Sequence, residues 1–136
     1  FVPHNASVNI PYPGVVWNNQ ITGAASQRYC MLVLGASNTQ TSATPPLPLP
    51  LDIGQLLGMG TFNCSLLVDP VSTKLTQTVG GGPGSGVATL PIQMPAVTFY
   101  IGMSLYTQWL VLDPNAPNGI VSATQGVWSI VAPVGG

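Results

Sequence analysis

The sequence predicts an all-β domain, a two-sheet antiparallel β-sandwich of jelly-roll or Ig-like type, on three observations. Apolar and polar residues alternate with a period of two in several segments, most clearly over residues 103–112, and a helix cannot satisfy that period. The chain has 16 Gly and 14 Pro but only two Lys and Arg together and no Glu, so turn formers are abundant and helix formers scarce. Strand-length apolar runs recur between clusters of Gly, Pro, Asn and Asp, giving about eight strands at the spacing of a sandwich.

The elements follow in order. Ala6, Val8 and Ile10 alternate with Ser7 and Asn9, and Pro11 and Pro13 bracket Tyr12; this opening is a short edge strand or an extended arm. Val15, Val16 and Trp17 come next, and Asn18-Asn19 reads as a turn. Residues 28–34 form a continuous apolar run ended by Gly35, as in a core strand covered on both faces. Residues 37–46, rich in Ser and Thr, make a solvated loop. Proline then alternates with leucine, which forbids a central strand and leaves an extended edge segment with Leu47, Leu49 and Leu51 toward the core.

A turn over residues 56–60 leads into a strand at 61–68, with Phe62, Cys64, Leu66 and Val68 on one face. Residues 73–78 are a short polar strand, and the glycine-rich stretch 79–86 is a flexible link that lacks the Lys-Ser/Thr pair of a phosphate loop. Residues 87–94 return to period two. Gly102 separates them from the central strand, in which Met103, Leu105, Thr107, Trp109 and Val111 share one face and Ser104, Tyr106 and Gln108 the other. Both faces turn apolar near its end, so it runs between two layers. Asp113-Pro114-Asn115 stops it and Asn118-Gly119 starts the return. Residues 120–123, a bend at Thr124-Gln125-Gly126 and a terminal strand at 127–131 complete the chain. Two units result: residues 1–13 as an N-terminal arm or exchangeable strand, and residues 14–136 as the sandwich.

Composition removes whole classes of function. Charged residues are 4% of the chain, against roughly 25% in ordinary soluble domains. Arg28 and Lys74 make no basic stripe, so nucleic acid is not an expected partner. Every apolar run falls well short of the roughly 20 residues of a spanning helix, so no membrane span is expected. No signal peptide is visible at Phe1; for an exported protein, this reads as a mature or trimmed form. An even cysteine count in a chain of extracellular character favours one disulfide between Cys30 and Cys64. Closing a loop of about 35 residues, it would stabilise by about 3–4 kcal/mol. Two free buried thiols are the alternative.

Leu34-Gly-Ala-Ser-Asn-Thr39, Leu47-Pro-Leu-Pro-Leu51, Cys64-Ser-Leu-Leu-Val68, Ala88-Thr-Leu-Pro-Ile92, Gly102 and Tyr106-Thr-Gln-Trp-Leu-Val-Leu-Asp-Pro114, then Ser122, stand in one order. That order resembles a β-rich module found toward the C-terminus of many large secreted bacterial proteins. The resemblance runs from about Tyr29 to Val131 and is most specific in Gln108-Trp-Leu-Val-Leu-Asp-Pro114. It implies export, a sandwich and a Cys30–Cys64 disulfide, and it carries no catalytic residues.

Reaction chemistry is poorly represented. The one histidine, His4, lies in the arm, and no Gly-x-Ser-x-Gly elbow exists, so the chain reads as a non-enzyme without cofactor. Asp113, Asn115 and Asn118 offer oxygen ligands for calcium, but a single carboxylate makes a weak site. Trp17, Tyr100, Tyr106 and Trp128 are candidates for stacking on sugar rings. Asn5-Ala6-Ser7 and Asn63-Cys64-Ser65 both fit the glycosylation pattern; the first is in an exposed setting and the second in a strand, so Asn5 is the candidate, and residues 37–44 are an alternative for O-linked sugar. The function read first is an extracellular filament or surface-layer subunit, a homo-oligomer or polymer in which the arm adds to a neighbour's sheet edge through Val8, Ile10 and Tyr12. The alternative is a secreted, non-catalytic module that binds glycans or a neighbouring surface.

Overall fold

Alternating burial dictates the architecture. The computed structural model describes residues 3–7, 9, 11–40, 48–56, 64–81, 85–94, 101–114 and 121–132. Among them the elements run β1 (His4–Ser7), β2 (Val16–Ala24), β3 (Tyr29–Gly35), β4 (Leu51–Asp52), α1 (Ile53–Leu56), β5 (Ser65–Leu66), β6 (Ser72–Gln77), β7 (Gly86–Gln93), β8 (Ser104–Leu112), β9 (Val121–Ala123) and β10 (Val127–Ile130). A first sheet has the order β1-β2-β7, and a second the order β10-β8-β3-β6, with β9 also pairing β8. All these pairings are antiparallel. The fold is thus an all-β sandwich type.

The two sheets enclose one core. Trp17 and Ile21 from β2, Ala88 and Ile92 from β7, Cys30 and Leu32 from β3, and Trp109 and Val111 from β8 pack together. Full burial of each large apolar side chain is worth about 1.5–3 kcal/mol. The opposite face of the second sheet is apolar too. There Val33, Met31, Leu110 and Tyr106 pack against Ile53, Cys64, Leu66, Val68, Leu49 and Leu51, supplied by the segment that carries α1 and the small β4–β5 ladder. The second sheet is therefore a middle layer, and β3 and β8 are covered on both sides as their sequences predict.

The corners are fixed by backbone contact. Val79 and Val87 exchange hydrogen bonds of 2.9 and 2.8 Å, bridging the end of β6 to the start of β7. The buried Thr78 hydroxyl donates to the Ala25 carbonyl (2.6 Å) and accepts from the Arg28 N–H (3.0 Å). That clamps the β2–β3 turn, in which Gln27 takes a left-handed φ of 54°. Gly35 ends β3 where a Cβ would collide with the Asp69 carbonyl, so a side chain is excluded there.

Three expectations need revising. Asn18-Asn19 is strand rather than turn: β2 runs straight through it, with Asn19 fully buried on the inner face. Ile53–Leu56 forms a helical turn where only a turn just beyond was expected. The disulfide is absent, for Cys30 and Cys64 are both free and buried. Cys30 belongs to the inter-sheet core and Cys64 to the core on the far side of the second sheet, so the sheet itself stands between the sulfurs. An even count of cysteines says nothing about which side of a sheet each one occupies.

The expected arm is stitched into its own chain over the residues described. His4 to Ser7 pair with Thr22 to Asn19 of β2. Beyond β1 the Asn9 side chain continues the pairing, donating to the Val16 carbonyl (2.9 Å) and accepting from the Asn18 N–H (2.7 Å). Tyr12 is half-buried and its carbonyl accepts from Val15 N–H (3.2 Å). Val8 and Ile10 lie outside the described residues.

The free thiols generate a prediction. Burial pushes the Cys30 thiol up from 9.0 to about 11, and burial followed by the charge of Asp52 raises Cys64 as well. Both thiols should be alkylated in denaturant without reductant, shown by intact mass, and resist alkylation when native. Because the unfolded thiol ionises first, the stabilisation from a buried neutral Cys30 is complete below pH 9.0 and is lost as pH rises to about 11. Denaturant titrations across that range should show a smaller decline in Cys30→Ala than in the parent.

Candidate functional site

β8 carries side chains for both layers, and its outer edge is covered by two strands in succession, β9 against Leu110 to Leu112 and β10 against Ser104 to Thr107. Between them three residues, Thr124 to Gly126, face only Gln108 and Trp109, which is the geometry of a β-bulge. Thr124 N–H donates to the Trp109 carbonyl (3.0 Å), and Trp109 N–H donates to the Thr124 hydroxyl (2.9 Å) instead of to a backbone carbonyl. The Thr124 carbonyl so released accepts from Gln108 Nε2 (3.1 Å).

Gln108 is 0% exposed, and its carboxamide is held by three backbone groups from two segments. Besides Thr124, Nε2 donates to the Ser65 carbonyl (2.9 Å) and Oε1 accepts from the Leu67 N–H (2.9 Å). The bulge, the central strand and the covering layer are locked together through this one side chain. A buried amide with every partner supplied stabilises, whereas the partners left alone would each cost about 1–3 kcal/mol.

Past the bulge, β10 places Trp128 directly opposite Tyr106 on the outer face of the second sheet. Trp128 is 63% exposed, unusual for so large an apolar side chain, and Tyr106 is half-buried beside it. The two rings border a shallow groove of about 280 Å³ completed by Asn38, Pro50, Leu67 and Gly126. No Asp, Lys, Arg or His is among its described lining residues. Such a site offers an aromatic face for C–H stacking, a neutral amide for hydrogen bonding, and no charge to attract or neutralise.

A larger groove, about 340 Å³, opens between the second sheet and the covering layer. Its walls include Met31, Val33, Ile53, Leu66 and Leu110, with Tyr29, Leu75 and Leu112 exposed at its border. The sequence signal for it was the double apolar face near the end of β8.

The remaining candidates separate clearly. Trp17 is fully buried in the inter-sheet core, which removes it from any binding face. Tyr100, Asn115, Asn118 and Asn63 lie outside the described residues. Asp113 is buried, and among the described residues no group of three or more His, Cys, Asp or Glu is placed to hold a metal ion. Asn5 is 2% exposed; its Nδ2 donates to the Thr107 carbonyl (3.1 Å) and hydroxyl (3.2 Å), so a glycan on that nitrogen and this packing exclude each other. His4 is exposed and meets Gln125. No helix of the described residues is long and apolar enough to cross a membrane. Compared with family models, curated proteins and solved structures, the chain matches none of them.

Sequence reading missed Gln108, Thr124 and Asn38. A polar residue in the most apolar strand is the signal that marks Gln108, since such a position needs partners from other segments. Replacing Gln108 by Leu should lower unfolding free energy by at least about 3 kcal/mol, because three backbone groups lose their partner together; chemical denaturation measures it.

Proposed function

We propose that the chain is a non-catalytic β-sandwich binding module that takes a neutral glycan on the Trp128–Tyr106 face. The observation that carries this reading is Trp128, held 63% exposed by a bulge, opposite a second aromatic and over a groove without charge. A sugar ring presents an apolar C–H face to the indole and hydroxyls to a neutral amide such as that of Asn38. Binding then draws on stacking and hydrogen bonds, with no metal or ion pair required. An extracellular setting for that encounter is part of the proposal.

Polymerisation by strand addition fits the geometry less well. It needs a free arm, and His4–Ser7 is paired within the chain.

Titration with a panel of neutral oligosaccharides, followed by tryptophan emission and calorimetry, tests the reading. Binding should quench or shift the emission of Trp128. Trp128→Ala should weaken affinity roughly tenfold, about 1.4 kcal/mol, while changing stability by less than about 0.5 kcal/mol, as for an exposed position. A panel without any binder, or an unaffected Trp128→Ala, would sink it.

A further inference from the structure

The geometry points to a proton-sensitive latch on the first strand, separate from the ligand face. In the β1–β2 ladder Asn5 lies opposite Ile21, and its N–H and C=O turn outward, away from β2. They are met by one side chain. Gln125 Oε1 accepts from Asn5 N–H (3.2 Å), and Gln125 Nε2 donates to the Asn5 carbonyl (2.9 Å). The carboxamide thus imitates one rung of a neighbouring strand and closes the outer edge of the first sheet.

That double contact settles the orientation of the amide. With Oε1 and Nε2 exchanged, carbonyl would face carbonyl and N–H would face N–H, so Nε2 must lie toward the Asn5 oxygen. Its second hydrogen then points to His4 Nδ1, 3.2 Å away. His4 Nδ1 has to accept, which requires a neutral ring with its proton on Nε2. Protonation puts an N–H on Nδ1 and sets donor against donor.

His4 is the sole imidazole in the chain, and histidine is the side chain that ordinarily changes charge between about pH 5 and 8. β2, β10 and residues 124–126, which pack on β1, contain no Asp, Glu, Lys or Arg, and β1 itself has no other titratable side chain. Nothing on those elements compensates the new charge. Acid therefore loosens Gln125 from Asn5 and uncovers a backbone N–H and C=O at the edge of β1, while β2 still holds the inner side of the strand. The signal is local and reversible.

Hydrogen exchange of the Asn5 amide, corrected for the intrinsic pH dependence of exchange, tests the latch in the full chain. Protection should fall about fivefold between pH 8 and 5, the equivalent of one ordinary hydrogen bond. His4→Gln, whose side-chain oxygen accepts at every pH in that range, should hold protection level. Gln125→Ala should show low protection with no step. A level profile in the parent chain, or the same step in His4→Gln, overturns the proposal.

Discussion

Burial of the second sheet on both faces is the constraint from which the rest of the structure follows. A strand with one wet face can keep polar side chains outside, but β3 and β8 have none to spare: Cys30, Leu32, Trp109 and Val111 face the first sheet, and Met31, Val33 and Leu110 face the covering layer. A carboxamide left on β8 must then find its partners inside the protein. Gln108 meets that demand by recruiting the Ser65 and Leu67 backbone and the Thr124 carbonyl. The Thr124 carbonyl is free only because the chain bulges, and the bulge in turn sets where Trp128 emerges on β10. Core burial, a saturated amide and an exposed indole are successive consequences of one packing problem.

This chain of cause explains which features were legible in the sequence. β8, β3 and β7 were readable because their alternation or continuous apolarity maps onto burial, with Leu105, Trp109 and Val111 on one face by period alone, and β6 was readable as a short polar strand that stays mostly exposed. The bend at 124–126 was readable from Gly126 and its neighbours. β2 was not, since its inner face carries Asn19 between Trp17 and Ile21, and an asparagine pair signals a turn unless tertiary packing overrides it. The cysteine pairing failed for another reason: Cys30 is on a strand whose face is fixed by Leu32, but the side from which Cys64 approaches depends on a crossover that no local pattern encodes. At the candidate site, Tyr106 and Trp128 were recognisable as aromatics, while their register across β8 and β10 depends on the bulge.

The sheet edges of a chain with so few charges carry other features that discourage strand pairing. Unpaired strand edges invite other strands, and charge is a common guard against them. Only 4% of this chain is charged, so most guarding is done by other means. Pro91 lies opposite Asn18 in the β2–β7 ladder. Because Asn18 N–H turns the other way, to Asn9, the missing donor of Pro91 falls on the open side of β7. Lys74, one of the two basic residues, stands exposed on β6 at the margin of the second sheet. On β1 the guard is the Gln125 carboxamide. A proline, a lysine and an amide thus serve three edges, and the amide is the one whose hold depends on a titratable neighbour.

The same scarcity of charge bears on the ligand proposed for the outer face. Long-range attraction of a charged partner requires a concentrated field, and the Trp128 groove has no ionisable side chain among its described lining residues. Under the proposed reading, discrimination there would rest on contact with the exposed indole and with the uncharged residues that line the groove, Asn38 and Pro50 among them. A neutral ring with one apolar face satisfies those terms without desolvating a charge. An anionic polymer would surrender its hydration and gain no counter-charge in return. A neutral glycan is therefore the better match for the proposed site than an acidic one, through the same economy of charge that leaves the edges to be closed by proline and amide.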